Sequence, residues 1–365
     1  MTYLKDKLTL NNAQLLSWYR LNKRDLPWRN TDSPYYIWLS EIILQQTRVA
    51  QGMDYYIKFI THYPTIESLA EASEEDVLKD WQGLGYYSRA RNLHSAAKFI
   101  KEIHNGEFPS NYEEIRDLKG VGDYTAAAIA SFAFNLPYAV VDGNVYRVLS
   151  RIFRIKTPID STLGKKEFSQ LAQELLARDN PAEHNQAIME FGALQCVPKK
   201  PNCNICPFSE SCVALKNNQI ELLPVKEKKL KQKKRYLNYL IIESEDELLV
   251  NKRDSKGIWQ NLYDFPLVET TKSTTNKSLL KTESFRDLIN KTEYSVRAIS
   301  AERKHILSHQ ILFAKFYHLS VGNKISNIKG NFERIKKRNL QEKPIPKLIE
   351  NYLKEETNLL SLLRA

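Results

Sequence analysis

Outside one short segment the chain has no cysteine. Cys196, Cys203, Cys206 and Cys212 are the only four, so no disulfide framework can span the fold. Long apolar runs are missing too. The most apolar stretch, Ala126–Phe134, falls well short of the ~20 residues that a membrane span needs. The amino-terminal MTYLKDKLTLNNAQ has no apolar signal core and no small-residue cleavage site, so no secretory leader is expected. There is no Gly-x4-Gly-Lys-Ser/Thr loop, which excludes a Walker-type NTPase. Gly83-Leu84-Gly85 and Gly120-Val121-Gly122 each begin a dinucleotide fingerprint, but Ser88 and Thr125 stand where the third glycine belongs. No His-x-Glu pair exists, which removes the zinc deaminase signature. These absences point to a cytoplasmic protein, nucleoid-associated if bacterial, with no membrane association and no nucleotide cofactor.

At 365 residues the chain is long enough for at least two domains. Hydrophobic residues make up 42%, enough to bury real cores. The formal net charge is +11, which favours a polyanionic partner. Most of that excess sits in Lys226–Arg235 and in residues 329–343, and the remainder is close to neutral. Nucleic-acid binding therefore needs specific elements, not bulk charge.

Residues 1–215 read as nearly all helix, with stretches at Asn11–Asn22, from Pro34 to about Met53, and on through 182–195. Gly83, Gly85, Gly106, Pro109, Gly120, Gly122, Pro137 and Pro158 punctuate them. Residues 216–235 read as a basic linker. From Tyr236 onward strand-like alternation appears, at Tyr236–Glu243, Glu247–Arg253, Ala298–Leu307 and Ile311–Leu319, with a helix near 278–290. The second domain, 236–365, is expected to be mixed α/β.

The four cysteines follow C-x6-C-x2-C-x5-C. With no secretory signal, a metal site suits them better than two disulfides. Four thiolates on one loop fit tetrahedral zinc or an iron–sulfur cluster, and spacing alone leaves both open. Residues 111–134 read as a short helix, a tight Gly120-Val121-Gly122 turn, and an Ala-rich helix that Asp123 would cap. Such a turn can aim consecutive amides and a helix N-terminus at one phosphate without any charged side chain. An ordinary helix–turn–helix connection reads the same way.

Two carboxylates stand in unusual company. Glu41 lies among Ile37, Trp38, Leu39, Ile42, Ile43 and Leu44. Desolvation there would raise its pKa, as a general acid needs, whereas a lone glutamate more often lies on a solvent stripe. Asp142 follows the apolar Tyr138–Val141 and reads as a helix N-cap, whose amides would hold it ionised. One raised and one depressed carboxylate is a pairing used to break glycosidic bonds.

Taken together, these motifs resemble the MutY-type adenine DNA glycosylases, and the likeness runs through most of the chain. LPWR (Leu26–Arg29), WLSEIILQQT (Trp38–Thr47), GLGYYSRARNLH (Gly83–His94), VDGNVYRVLSR (Val141–Arg151), NQAIMEFGALQC (Asn185–Cys196) and the cysteine loop agree in order. The resemblance implies a two-lobed all-α domain with a helix-hairpin-helix (111–134) and one [4Fe–4S] cluster on Cys196, Cys203, Cys206 and Cys212. It implies a substrate, adenine mispaired with 8-oxoguanine or guanine in duplex DNA, flipped out and cut from its sugar. A monomer is expected, because a single DNA lesion has no two-fold symmetry to match. Glu41 matches the general acid, and Asp142 the carboxylate that stabilises or captures the sugar. Tyr124 and Asn144 match residues that assist Asp142 and water. Arg29 and Gln186 fall at adenine-pocket positions, and Gln46 and Tyr86 match side chains that wedge into the duplex. Gly120, Val121 and Gly122 match the phosphate-binding turn.

Relatives that also nick the strand carry a lysine where this chain has Tyr124, so hydrolysis without efficient strand cleavage is expected. A lyase acting on damaged pyrimidines and a non-catalytic DNA-binding iron–sulfur module are the alternatives. Tyr124 opposes the first, and Glu41 with Asp142 the second. GIWQNLYDFP (Gly257–Pro266) and His305–His309 resemble the family's Nudix-like carboxy-terminal domain, whose Ser308–His309 loop would sense 8-oxoguanine. The acidic helix of active Nudix hydrolases is missing, so pyrophosphate hydrolysis is not expected. Two positions depart from the pattern: Lys119 replaces a hairpin proline, and Leu307 replaces a phenylalanine before Ser308.

Overall fold

The computed structural model describes residues 10–227, 232–322 and 325–355. Part of the basic run, Lys228–Lys231, lies outside them. The chain forms two compact units that do not follow it in order. Met1–Glu71 joins Asn92–Lys228, and Ala72–Arg91 joins Lys229–Ala365.

The described helices before the sheet are α1 (Asn12–Asn22), α2 (Pro34–Leu44), α3 (Val49–His62), α4 (Ile66–Glu71), α5 (Glu74–Asp80), α6 (Ser88–Ile103), α7 (Tyr112–Asp117), α8 (Asp123–Phe134), α9 (Gly143–Phe153), α10 (Thr162–Leu175), α11 (Pro181–Leu194) and α12 (Val213–Lys216). Side-chain caps start many of them: Asn11, Ser33, Asn111, Asp142, Ser161 and Asn180 each accept a backbone amide of the first turn.

In the first unit, one core joins α1, α9, α10 and α11 through Leu15, Val148, Phe168 and Phe191, all buried. Each such aromatic contributes about 1.5–3 kcal/mol by burial. Helix α2 packs against α3 and α8, and Trp38, Leu39 and Ile43 on it are fully buried. The small side chains Ala126, Ala127, Ala128 and Ala130 let α8 lie close to its neighbours.

The helix expected from Pro34 to Met53 is two helices. It breaks after Leu44 because Gln46 takes a left-handed backbone, φ 54°, and α3 restarts at Val49. The hairpin is capped differently as well. Gly122 is the N-cap of α8, and Asp123 occupies its first turn. Gly120, at φ 87°, makes the turn. A Cβ there would meet Asn92 Cβ at 2.7 Å, so both conformation and space require glycine.

The second unit is built on a sheet of eight strands among the described residues: β1 (Lys233–Ser244), β2 (Glu247–Lys252), β3 (Tyr263–Asp264), β4 (Leu267–Thr270), β5 (Ser295–Ile299), β6 (Arg303–Ile306), β7 (Gln310–Ser320) and β8 (Glu333–Lys336). Its spine is β1 parallel to β7, in register from Lys233 with Gln310 to Glu243 with Ser320. Strand β1 thus begins inside the segment read as a linker. The strand expected at 298–307 is two strands, β5 and β6, and the helix expected near 278–290 is two short ones, α13 (Asn276–Leu279) and α14 (Glu283–Ile289). A last helix, α15 (Lys347–Glu355), follows. Leu240, Ile242, Phe285, Tyr317 and Leu319 form the core of this unit.

Reading 1–215 as one continuous domain placed α5 with the first unit, and the structure groups it with the second. Side chains of the Ala72–Arg91 segment carry the contacts. Glu75 accepts hydrogen bonds from Lys343 Nζ at 2.7 Å and the Tyr263 hydroxyl at 3.0 Å, and Gln82 Oε1 accepts the Ile345 amide at 3.0 Å.

Candidate active site

A cavity of about 620 Å³ opens in the first unit, lined by residues of the α1–α2 connection, α2, α8, α9 and α11. Glu41, Tyr124, Asp142, Asn144, Arg29 and Gln186 all face it, and the Gln46 position lies on its rim.

Glu41 comes from the buried α2, and only 8% of the residue is exposed. Burial pushes its carboxyl up to about 7, and the nearby charge of Asp142 adds to that. The Tyr124 hydroxyl donates to Glu41 Oε2 at 3.2 Å and, with Arg29, pulls the other way. Burial and the adjacent carboxylates hold the Tyr124 phenol well above its ordinary range, so it is a donor at every working pH.

Asp142 does cap a helix. Its Oδ1 accepts the amides of Asn144 at 2.9 Å and Val145 at 2.8 Å, while its Oδ2 accepts Asn144 Nδ2 at 2.7 Å. The expected depression of its pKa does not follow. Burial raises it above the ordinary aspartate value, against the opposing pull of those bonds and of Arg147. Both carboxylates are therefore raised. The asymmetry between them comes from hydrogen bonding, three donors on Asp142 against the Tyr124 phenol on Glu41.

Behind Asp142 stands Arg147, which the sequence did not single out. Its Nη2 donates to Asn144 Oδ1 at 2.8 Å and to the Gly192 carbonyl at 2.6 Å, and its Nε donates to the Cys196 carbonyl at 2.7 Å. The cap thus connects to the first cysteine through one guanidinium. Gly192 makes this possible, because a Cβ there would meet Asn144 Cβ at 2.6 Å and its carbonyl oxygen at 2.9 Å. Gly192→Ala is expected to push Asn144 off Asp142. Base release should slow by about 10- to 100-fold, with a stability loss of about 1–3 kcal/mol. Single-turnover kinetics and thermal melts on the same samples check both.

The four thiols line a second cavity, beside Phe191, Phe208 and Arg151. Arg151 Nη1 lies 3.4 Å from Cys196 Sγ and donates to the carbonyls of Val197 at 2.8 Å, while Nη2 reaches Pro198 at 3.0 Å. Burial and the neighbouring thiols push Cys206 up to about 11, and Cys203 and Cys212 are raised as well. Deprotonated, four thiols lining one cavity would need a cationic centre, so the donor set fits a metal group by its chemistry. Among the described residues, no three His, Cys, Asp or Glu side chains are placed together as metal ligands.

The hairpin turn leaves Gly120 and Gly122 exposed at its surface, with Lys119 Nζ 3.5 Å from Ser95 Oγ. Two non-glycine residues expected to enter DNA, Gln46 and Tyr86, both hold left-handed backbones, at φ 54° and 49°. Both are exposed. Such conformations cost of order 1–3 kcal/mol and collect at functional sites. In the second unit Ser308 and His309 form the tip between β6 and β7, closed by the Leu307 amide on the Gln310 carbonyl at 2.8 Å. The Tyr86 hydroxyl is hydrogen-bonded to Ser308 Oγ within that unit.

The chain is similar to known proteins along most of its length. Residues 39–177 match the HhH-GPD superfamily of base excision DNA repair proteins, and residues 238–355 match the NUDIX domain. An adenine DNA glycosylase of Buchnera aphidicola subsp. Baizongia pistaciae (strain Bp) is 35% identical over 330 residues, covering 88% of this chain and 89% of that protein. A thermostable thymine-DNA glycosylase superposes with a TM-score of 0.53 at 31% identity, over 56% of this chain and 95% of its own. Endonuclease III trapped covalently on DNA shares the fold, with a TM-score of 0.50 at 22% identity over 57% of this chain and 94% of that chain.

Proposed function

Since the chain belongs to the MutY-type adenine DNA glycosylases, DNA N-glycosylases of base-excision repair, we propose that it removes adenine paired with 8-oxoguanine, or with guanine, and stops at the abasic site. The observation that carries this reading is the shared cavity of Glu41, Tyr124 and Asp142. Protonated Glu41 gives its proton to a ring nitrogen of the flipped adenine. The N9–C1′ bond then breaks, and its electron pair leaves with the base. Asp142, ionised and held by its cap, stabilises the cationic sugar. Water adds at C1′ and loses a proton, which leaves the abasic product.

Strand cleavage would need an amine to form a Schiff base with the sugar. Tyr124 supplies a phenol there, and its hydroxyl donates to Glu41. Gln46 and Tyr86 are the proposed wedges, and the amides around Gly120–Gly122 the proposed phosphate contact. Ser308 and His309 would meet the base opposite the adenine. Cys196, Cys203, Cys206 and Cys212 would hold a [4Fe–4S] cluster. Bound there, it would hold the loop that follows Cys196 in shape.

The test is a single-turnover reaction on duplexes with one adenine opposite 8-oxoguanine or guanine, quenched with and without alkali. Strand breaks only after alkali are expected, faster opposite 8-oxoguanine. Breaks without alkali would overturn the monofunctional reading, and no base release from either duplex would overturn the substrate.

A further inference from the structure

Glu190 lies one turn after Gln186 on α11, so both side chains leave the same helix face. Its side chain is 1% exposed and yet carries a charge. Oε1 accepts the Arg24 amide at 2.9 Å, Arg24 Nε at 2.8 Å and Arg29 Nη1 at 3.0 Å. Oε2 accepts Arg24 Nη2 at 2.5 Å and Arg29 Nη2 at 2.9 Å. These donors hold the carboxyl down to about 2 despite its burial. Arg24, Arg29 and Glu190 all line the cavity that Glu41 faces. The Arg29 guanidinium also lies 5.7 Å from the Tyr19 ring centroid, and the Tyr19 hydroxyl donates to Gln186 Oε1 at 2.7 Å.

A buried ion cluster is weak evidence for stability, because apolar residues of similar volume do as well. This one lines a cavity instead of filling a core, and two guanidiniums on one carboxylate leave a net positive wall. We propose that Glu190 is a positioning residue for base release, fixing Arg24 and Arg29 so that one guanidinium donates to a ring nitrogen of the flipped adenine. As the N9–C1′ bond breaks, the base gains electron density, and a donor already in place binds it more strongly than the ground state. Where that nitrogen is N1, the same donor disfavours guanine, whose N1 carries a hydrogen where adenine offers a lone pair. The inference rests on reading this cavity as the adenine pocket.

The test uses the full chain with its cysteine loop loaded. Single-turnover release of adenine, 1-deazaadenine and 3-deazaadenine opposite 8-oxoguanine is measured for the wild type, Glu190→Gln and Arg29→Lys. Glu190→Gln is expected to slow adenine release about 10- to 100-fold. The larger of the two deaza penalties seen in the wild type should shrink to within about 2-fold in both variants, because the donor it reports is no longer fixed. Equal slowing on all three bases would mean a merely structural role, and no slowing would mean none; either overturns the inference. If Glu190→Gln does not fold, Arg29→Lys decides on the same criterion. A wild type that releases no adenine would instead sink the reading of the cavity itself.

Discussion

Glu41→Gln is expected to slow adenine release by about 10²–10⁴-fold, the usual contribution of a positioned general acid, while binding to mismatched duplex is kept. The amide has nearly the shape of the acid and can still accept from the Tyr124 hydroxyl, which lies 3.2 Å from Glu41 Oε2. What it cannot do is give a proton. The substitution should also stabilise the fold at neutral and higher pH. A carboxyl raised from 4.5 to about 7 by burial costs folding energy as pH climbs between those values, and the full cost applies above about 7. That cost is on the order of 3 kcal/mol at most, and a neutral amide does not bear it. Melting at pH 8 should therefore show the variant at or above the wild type. A variant both inactive and strongly destabilised would point to a structural glutamate.

Asp142→Asn is the companion case and separates capping from chemistry. Asparagine caps helices as well as aspartate does, and its one oxygen can keep the Asn144 and Val145 amides that now lie at 2.9 and 2.8 Å. The helix should hold. The negative charge beside the sugar is lost, and with it about 10²–10³-fold in rate, the scale of one well-placed electrostatic partner. A loss of less than about 3-fold would mean that Asp142 only caps.

How far the sequence revealed this site depended on how local each signal was. The cap at Asp142 and the turn at Gly120 are set by neighbours in the chain, and both were legible. Glu41 was readable as a candidate because its helix is apolar all round, though only the packed helices remove it from water. The depressed pKa expected for Asp142 failed because burial outweighs the cap amides, and burial is a property of the assembled cavity. Arg147 and Glu190 looked like ordinary charged helix residues. Their partners lie far along the chain, Glu190 with Arg24 and Arg147 with Cys196. The i, i+4 spacing of Gln186 and Glu190 was the one local clue. The break at Gln46 has no proline or glycine to announce it, and Ala72–Arg91 joins the second unit through contacts with residues near 260 and 343.

The most direct test is the pH dependence of single-turnover adenine release at saturating enzyme, in the wild type and in Glu41→Gln. The acid must be protonated and Asp142 ionised, so the wild-type rate should rise through the raised Asp142 titration and fall about tenfold per unit above roughly pH 7. The falling limb should vanish in Glu41→Gln. A wild-type rate that stays flat to pH 9, or a falling limb that survives the substitution, would contradict Glu41 as the acid.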